Sequence, residues 1–196
     1  NAAIKLEDVA VVRGSTLILH DFNMNIARNE TIWLRGVNGS GKSTLLRVCA
    51  GLLPIAGGIC EITGGVALCD ENLAMDKNAR LEHAIDFWRQ LDGGSPVQTE
   101  NALAAFDLVS LAEVPVRYLS TGQRKRAALA RVVASGQLIW LLDEPYNGLD
   151  NASALRLDQA IIAHVASGGL ALIAAHQTPS IPISKSISLD TGRAVK

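Results

Sequence analysis

The sequence is short of the residues that mark several classes of protein. Cys49, Cys60 and Cys69 form neither a C-x-x-C pair nor an even set, which favours small core residues in a reducing compartment over a disulfide framework. Aromatic residues make up 4% of the chain, too few for a platform that stacks single-stranded bases. The 18 Lys and Arg residues against 19 Asp and Glu residues leave a net charge of -1. The chain therefore has no excess of positive charge with which to bind a phosphate backbone, and we expect no nucleic-acid partner.

Long apolar runs are missing as well. The longest, at residues 138–142 and 170–175, have the length of strands, whereas a membrane-spanning helix needs about 18 apolar residues or more. We therefore expect no direct membrane span, and residues 1–12 do not have the pattern of a signal peptide. With 48% hydrophobic and 19% charged residues among 196, the chain has enough apolar side chains for one packed domain.

Apolar patterning predicts a β-rich start followed by alternating helices and strands. A Gly/Pro break at 93–96 interrupts a helical stretch at 78–111, and further helices are predicted from Ser120 to about Ala134 and over 151–167. A hairpin is predicted over 187–195. The sequence thus predicts one α/β domain over 1–196, with its core at 1–71 and 119–196 and a helical insert at about 72–118. The predicted strands cover residues 4–12, 17–19, 22–26, 31–35, 59–62, 66–68, 138–142 and 170–174.

A glycine-rich loop follows the strand predicted at 31–35 and precedes a helix with one apolar face. Its sequence, GVNGSGKS, matches the pattern G-x-x-x-x-G-K-[ST] from Gly36 to Ser43. Glycines let backbone N–H groups approach phosphate oxygens, Lys42 supplies a cation, and the Ser43 hydroxyl is suited to Mg²⁺. The loop predicts binding of a nucleoside triphosphate. Its candidate contacts are Gly36, Val37, Asn38, Gly39, Ser40, Gly41, Lys42, Ser43 and Thr44.

Two carboxylates end the apolar strand predicted at 138–142. Ligands gather at the carboxyl ends of parallel strands, so Asp143 is predicted to hold Mg²⁺ beside Ser43. Glu144 points elsewhere and is predicted to orient or deprotonate an attacking water.

Five motifs together resemble those of the ATP-binding-cassette (ABC) ATPases. Besides the phosphate loop and the acidic pair, LSTGQ at 119–123 resembles the LSGGQ signature, with Thr121 in place of the first glycine. NGLD at 147–150 resembles the D-loop, and His176 resembles the switch histidine. All five occur in the family's order and together extend over the whole chain.

The resemblance implies a P-loop ABC-ATPase fold: a mixed or parallel sheet core, an N-terminal antiparallel β region and a helical insert. It also implies an ATP-dependent homodimer in which each ATP touches one phosphate loop and the other copy's signature. The residues implied to act across the dimer are Ser120, Gly122, Gln123 and Asp150. Ser120 is in addition a favourable N-cap for the helix that follows it. By the same resemblance His176 contacts the γ-phosphate and the water and cooperates with Glu144 in catalysis.

The sequence departs from the family's pattern at two places. Glu71 occupies the position of the Q-loop glutamine, and we hypothesise that its carboxylate reaches Mg²⁺ or water. The aromatic residue that stacks on adenine is missing, and Val11, Val12 and Arg13 occupy its region. Arg13 is then the candidate for stacking on the base.

Within the family, the segments at 34–47, 119–131 and 140–145 are similar to the haem-exporter ATP-binding proteins of cytochrome c biogenesis. This similarity implies an ATPase at the cytoplasmic face of the bacterial inner membrane, attached through integral membrane subunits of the haem exporter. There it would energise haem delivery or release. No C-x-x-C-H occurs, so no haem is expected on this chain.

Other readings stay open at this point. The chain could serve another ABC importer or exporter, act as a soluble cassette ATPase in DNA repair or translation, or sense nucleotides without hydrolysis. The basic residues Arg124, Lys125, Arg126 and Arg131 are interpreted as a solvated helix face rather than a nucleic-acid patch, given the net charge.

Overall fold

The computed structural model of the chain describes residues 1–189, which form two sheets with helices packed around them. The first sheet is antiparallel, with the strand order β2-β1-β4. The second is parallel, with the order β5-β6-β7-β3-β8. The strands are β1 (Ala3–Arg13), β2 (Thr16–Ala27), β3 (Thr31–Arg35), β4 (Gly57–Thr63), β5 (Val66–Cys69), β6 (Ile139–Asp143), β7 (Leu170–Ala174) and β8 (Lys185–Ser188).

The parallel sheet is covered on both faces, as its continuous apolar strands require. Alternation along β6 sends Leu141 into one core, which includes Leu34, and sends Trp140 and Leu142 into the other, which includes Phe106. Apolar packing on both faces holds the parallel sheet in place. Polar side chains are therefore accommodated at its carboxyl-terminal edge, where the strands end.

Within residues 1–189, the strands are connected by the α-helices α1 (Lys42–Cys49), α2 (Leu81–Leu91), α3 (Val97–Ala105), α4 (Thr121–Ala134) and α5 (Asn151–Ala166). The interruption between α2 and α3 contains Gly93, whose φ of 77° is one that glycine adopts without strain. The buried residues Leu81, Ile85 and Leu103 join α2 and α3 to the apolar core that also includes Leu129 of α4. The segment between β5 and α4 therefore contains two helices, α2 and α3, and packs against α4.

The predicted C-terminal hairpin lies mostly outside the described residues, including its turn at Asp190-Thr191-Gly192. Within the described part, β8 pairs in parallel with β3, with Ile187 opposite Leu34. The two strands predicted at 17–19 and 22–26 are one strand, β2, which pairs with β1 through shifts of register. A bulged strand has its alternation of apolar residues interrupted, which explains the predicted gap.

Candidate functional site

The phosphate loop occupies the turn between β3 and α1. Gly41 is the N-cap of α1 and has a φ of 103°. A Cβ atom at Gly41 would lie 3.0 Å from Cγ2 of Ile18, so both the conformation and the close approach require glycine. The N–H of Leu45 donates to the Gly41 carbonyl at 2.8 Å, so the helix begins directly at the loop. Its first-turn N–H groups, which have no partner within a helix, make this junction suited to an anion.

Lys42 is folded across the loop and is only 6% exposed. Its Nζ donates to the carbonyl of Gly36 at 2.7 Å and to that of Val37 at 3.3 Å. The Oγ of Ser40 is buried with no hydrogen-bond partner among residues 1–189. A buried cation and an orphaned hydroxyl within one loop fit a polar, anionic ligand.

One cleft of about 350 Å³ brings the phosphate loop together with the acidic pair. Asp143 ends β6, beside β7, and β7 lies beside β3, which leads into the loop. The phosphate loop and the acidic pair, about a hundred positions apart in the sequence, therefore lie at the same edge of the sheet. The cleft is lined by Arg13, Ile18, Asn38, Gly39, Gly41, Lys42, Ser43, Thr44, Asp143 and Glu144.

The oxygen donors in this cleft fit a magnesium ion bound to a nucleotide. Ser43 and Asp143 both line it, and hydroxyl and carboxylate oxygens are the ligands that Mg²⁺ prefers. Among residues 1–189, His, Cys, Asp and Glu side chains form no group of three able to hold a metal. The remaining ligands would have to come from phosphate oxygens or water.

Arg13 is the residue that the sequence suggests for stacking on the base. It lines the cleft beside Ile18, and no aromatic side chain of the described residues does so. The position of Arg13 is thus compatible with stacking on a base.

Glu144 has an unusual backbone conformation and a buried carboxylate oxygen. Its φ of 44° lies in the left-handed region, and its N–H donates to the Ala174 carbonyl of β7 at 2.8 Å. Its Oε1 lies 3.3 Å from Nε2 of His176 but makes no hydrogen bond of good geometry with any described residue. A buried acceptor without a donor is available to a water molecule.

His176 follows β7 and is held in place through its neighbour, Ala175. The indole Nε1 of Trp33 donates to the Ala175 carbonyl at 2.9 Å, and the Ala175 N–H donates to the Leu34 carbonyl at 3.3 Å. Two bonds from β3 thus fix the backbone directly before His176. The histidine and Glu144 face each other across the ends of two adjacent strands.

The residues expected to act across a dimer lie outside the phosphate-loop cleft. Ser120 caps α4: its Oγ accepts from the Gln123 N–H at 3.2 Å, while the Gln123 Oε1 accepts from the Ser120 N–H at 2.7 Å. Asp150 caps α5 by accepting from the Ser153 N–H at 2.7 Å, which lowers the pKa of Asp150. A Cβ atom at Gly122 would find the Gly148 carbonyl, 3.9 Å away, as its nearest neighbour, so the start of α4 is open.

Glu71 does not line the phosphate-loop cleft. It lies in a neighbouring cleft and pairs with Arg47 of α1 at 3.5 Å, with 84% of its side chain exposed. Arg47 pairs more closely with Asp70, at 3.1 Å. Burial raises the pKa of Asp70, but hydrogen bonds from Asn72 and Arg47 outweigh it, and the pKa lies below its ordinary value. The arginine thus ties the segment after β5 to the phosphate-loop helix.

The interpretation of the basic run on α4 as a solvated face holds for only part of it: Arg124 is exposed, Lys125 and Arg126 are half-buried, and Arg131 is buried. Each of the four side chains donates to a backbone carbonyl. Their acceptors are Leu119 for Arg124, Glu144 for Lys125, Phe106 for Arg126 and Leu68 for Arg131. Arg131 is 8% exposed, and its guanidinium lies 5.0 Å from the ring centroid of Trp88. Sequence analysis missed these roles because backbone acceptors carry no residue signature.

Across residues 1–189, no helix combines the length and apolarity needed to cross a membrane.

Comparison with known proteins identifies the family. The model of the ABC transporter family matches residues 19–147. The "Cytochrome c biogenesis ATP-binding export protein CcmA" of Sphingopyxis alaskensis is 45% identical over 179 residues, 91% of this chain and 92% of that protein. The protein of the same name from Novosphingobium aromaticivorans is 48% identical over 170 residues, 87% of this chain and 86% of that protein.

Solved structures confirm the predicted fold. A putative ABC transporter ATP-binding protein from Pyrococcus furiosus has a TM-score of 0.82 at 20% identity, covering 95% of this chain and 97% of its own. A structure titled as the ATP binding subunit of an ABC transporter also has a TM-score of 0.82, at 22% identity, covering 88% of this chain and 79% of its own. The fold of the sheet, loop and helices is that of P-loop ABC ATPases. By sequence, the chain belongs to the ABC transporter family and, within it, to the cytochrome c biogenesis ATP-binding export proteins CcmA.

Proposed function

We propose that this chain is the ATP-hydrolysing subunit of the export complex that serves cytochrome c biogenesis, and that hydrolysis energises haem delivery or release. ATP binding and hydrolysis are supported by the membership of the chain in the ABC transporter family. The observation that supports the assignment of residues is the single cleft shared by Lys42, Ser43, Asp143 and Glu144. The names of its relatives support the pathway.

In the proposed site, backbone N–H groups of residues 36–44 and the ammonium of Lys42 neutralise the phosphates of ATP. Ser43 and Asp143 would hold Mg²⁺, which when bound supplies further positive charge to the phosphates. Glu71 is retained as a third candidate for this ion. To reach the magnesium ion, the Glu71 side chain would have to break its ion pair with Arg47.

Water activation is assigned to Glu144 and His176. The Oε1 of Glu144, which makes no hydrogen bond with the described residues, accepts a proton from the water while the water oxygen attacks the γ-phosphorus. The bond from that phosphorus to the β–γ bridging oxygen then breaks. His176, 3.3 Å from the same oxygen, is placed to donate to the γ-phosphate or to orient the water. Trp33 supports this step indirectly by fixing the carbonyl before His176.

We further propose that two copies close over two ATP molecules, with Ser120, Gly122, Gln123 and Asp150 of each copy contacting the other's nucleotide. The open start of α4 supports this arrangement, since the positive end of the helix dipole is accessible there to a phosphate. Integral membrane subunits of the haem exporter would hold the dimer at the cytoplasmic face of the bacterial inner membrane.

The test is to tag Glu144→Gln in cells, solubilise membranes gently with ATP and identify what co-purifies. We expect recovery of the membrane subunits and haem chaperone of cytochrome c maturation, because blocking hydrolysis holds the ATP-bound complex together. Lys42→Ala, tagged in the same way, serves as the matched control that cannot hold ATP.

Recovery of an unrelated permease would contradict the haem pathway and assign the ATPase to another ABC importer or exporter. Recovery of no membrane protein would instead favour a soluble cassette ATPase.

A further inference from the structure

Lys125 of α4 contacts the residue assigned to water activation, although it lies outside the phosphate-loop cleft. Its Nζ donates to the backbone carbonyl of Glu144 at 3.0 Å. The same side chain lines the neighbouring cleft of about 540 Å³, together with Glu71, Lys77 and Thr121. The ammonium therefore lies at the boundary between the two clefts.

The Glu144 backbone requires support to keep its conformation. A non-glycine residue at a φ of 44° is strained and persists only where its surroundings hold it. Three hydrogen bonds do so: its N–H donates to the Ala174 carbonyl at 2.8 Å, and its carbonyl accepts from Lys125 and, at 3.3 Å, from the Asn147 N–H. Only the bond from Lys125 has a charged donor, which makes it the strongest type of the three.

The orientation of the Glu144 peptide group decides where its carboxylate points. The Oε1 of Glu144 lies 3.3 Å from Nε2 of His176 but makes no well-formed hydrogen bond with the described residues, so the direction of the side chain depends strongly on its backbone. Small misplacements of a reacting group are costly to the rate.

We propose that Lys125 is a positioning residue for Glu144, which holds the left-handed backbone that aims the carboxylate at the attacking water. This inference rests on the proposed function of Glu144. It also links two elements within one chain: α4, which Ser120 caps, is tied through Lys125 to the residue that follows β6. A shift of α4 relative to β6 changes the placement of Glu144.

The first test compares Lys125→Met with Lys77→Met. Lys77 is exposed and lines the same cleft, so it controls for the loss of one ammonium there. We expect Lys125→Met to lower kcat at least about tenfold while the KM for ATP and the melting temperature stay near wild type. Lys77→Met should leave kcat unchanged. Lys125→Arg, which keeps a donor, should recover most of the lost rate.

A kcat for Lys125→Met within twofold of wild type would overturn the proposal, as would an equal loss in Lys77→Met. Should the Met variant unfold, Lys125→Gln removes the positive charge of the donor while keeping a polar side chain, and kcat should fall in the same direction.

The second test separates positioning from a general effect on the site. In a Glu144→Gln background, adding Lys125→Met should leave the residual single-turnover rate unchanged, because the group it positions is already lost. A further tenfold loss would show that Lys125 acts independently of Glu144 and overturn the proposal. Full turnover by Glu144→Gln alone would contradict the proposed function of Glu144 instead, so the two failures are distinguishable.

Discussion

Lys42 and Glu144 line the same cleft but are assigned to different steps, and substitution should separate them. Lys42→Ala removes the cation inside the phosphate loop, so ATP binding itself should weaken. Glu144→Gln keeps the shape of the side chain and removes only its ability to take a proton. We expect that variant to bind ATP normally and to lose roughly two to four orders of magnitude in turnover. Equilibrium binding of a fluorescent ATP analogue and steady-state hydrolysis measure the two effects.

Unchanged ATP affinity in Lys42→Ala would contradict the role given to the lysine. Hydrolysis within tenfold of wild type in Glu144→Gln would exclude the carboxylate as the base.

His164 predicts a pH dependence of stability that is separate from catalysis. Its ring stacks on Trp140 with centroids 3.8 Å apart, and burial lowers the pKa of His164 to about 4. In the unfolded chain the pKa returns to about 6.5, so the unfolded state binds the proton more readily. The contribution of His164 is therefore complete above about pH 6.5 and is lost as the pH falls toward 4. The loss should amount to roughly 2–3 kcal/mol.

His164→Phe keeps an aromatic ring against Trp140 and removes the titration. Urea unfolding followed by tryptophan fluorescence between pH 7.5 and 4.5 should show a smaller loss of stability in this variant than in wild type. If the free energy of unfolding fell equally with pH in the two proteins, His164 would not take up a proton on unfolding in this range.

Single residues also mark the limit of what the sequence could predict. Lys42, Ser43, Asp143 and Glu144 were recognisable because the motif and the strand ends place them together by chain geometry alone. Lys125 was not, because its acceptor is a backbone carbonyl 19 positions away that any residue could provide. The pairing of Arg47 with Asp70 depended likewise on how α1 approaches the segment after β5.

At the scale of elements, the N-terminus of α4 carries a capping box whose contribution can be measured. Ser120 and Gln123 satisfy each other's backbone N–H groups. Ser120→Ala should lower the free energy of unfolding by about 1 kcal/mol and the melting temperature by about 2–4 °C. Thermal unfolding by circular dichroism measures the change, with the exposed Ser110→Ala as control. A melting temperature equal to that of the control would mean that α4 does not depend on this cap.

The predictability of the elements followed the strength of local signals. The bounds predicted for β3, β7 and α4 agree with the structure, since each has an apolar run or a clear cap. Strand β8 was missed as a partner of β3, because its sequence KSIS has a single apolar residue and its pairing is decided by contacts far away in the chain. The local pattern of apolar residues predicts where an element lies in the sequence, but it does not predict which strand an edge strand pairs with.

At the scale of the whole molecule, the dimer proposed from the family resemblance places the start of α4 of one copy at the nucleotide of the other. Gly122 offers the sharpest test, because the nearest atom to a Cβ there is 3.9 Å away and the described chain has room for a side chain. Gly122→Glu should therefore fold, but its carboxylate would meet the partner copy's nucleotide by steric contact and by charge. Ala163→Glu, on the exposed side of α5, adds the same charge elsewhere.

In the Glu144→Gln background with ATP, light scattering after size exclusion should give a dimer mass for the parent and for Ala163→Glu, and a monomer mass for Gly122→Glu. The melting temperature of Gly122→Glu should stay near that of its parent, which separates a blocked interface from a damaged fold. A dimer of Gly122→Glu with ATP would place the signature away from the partner's nucleotide. The interface would then have to be sought on another face of the molecule.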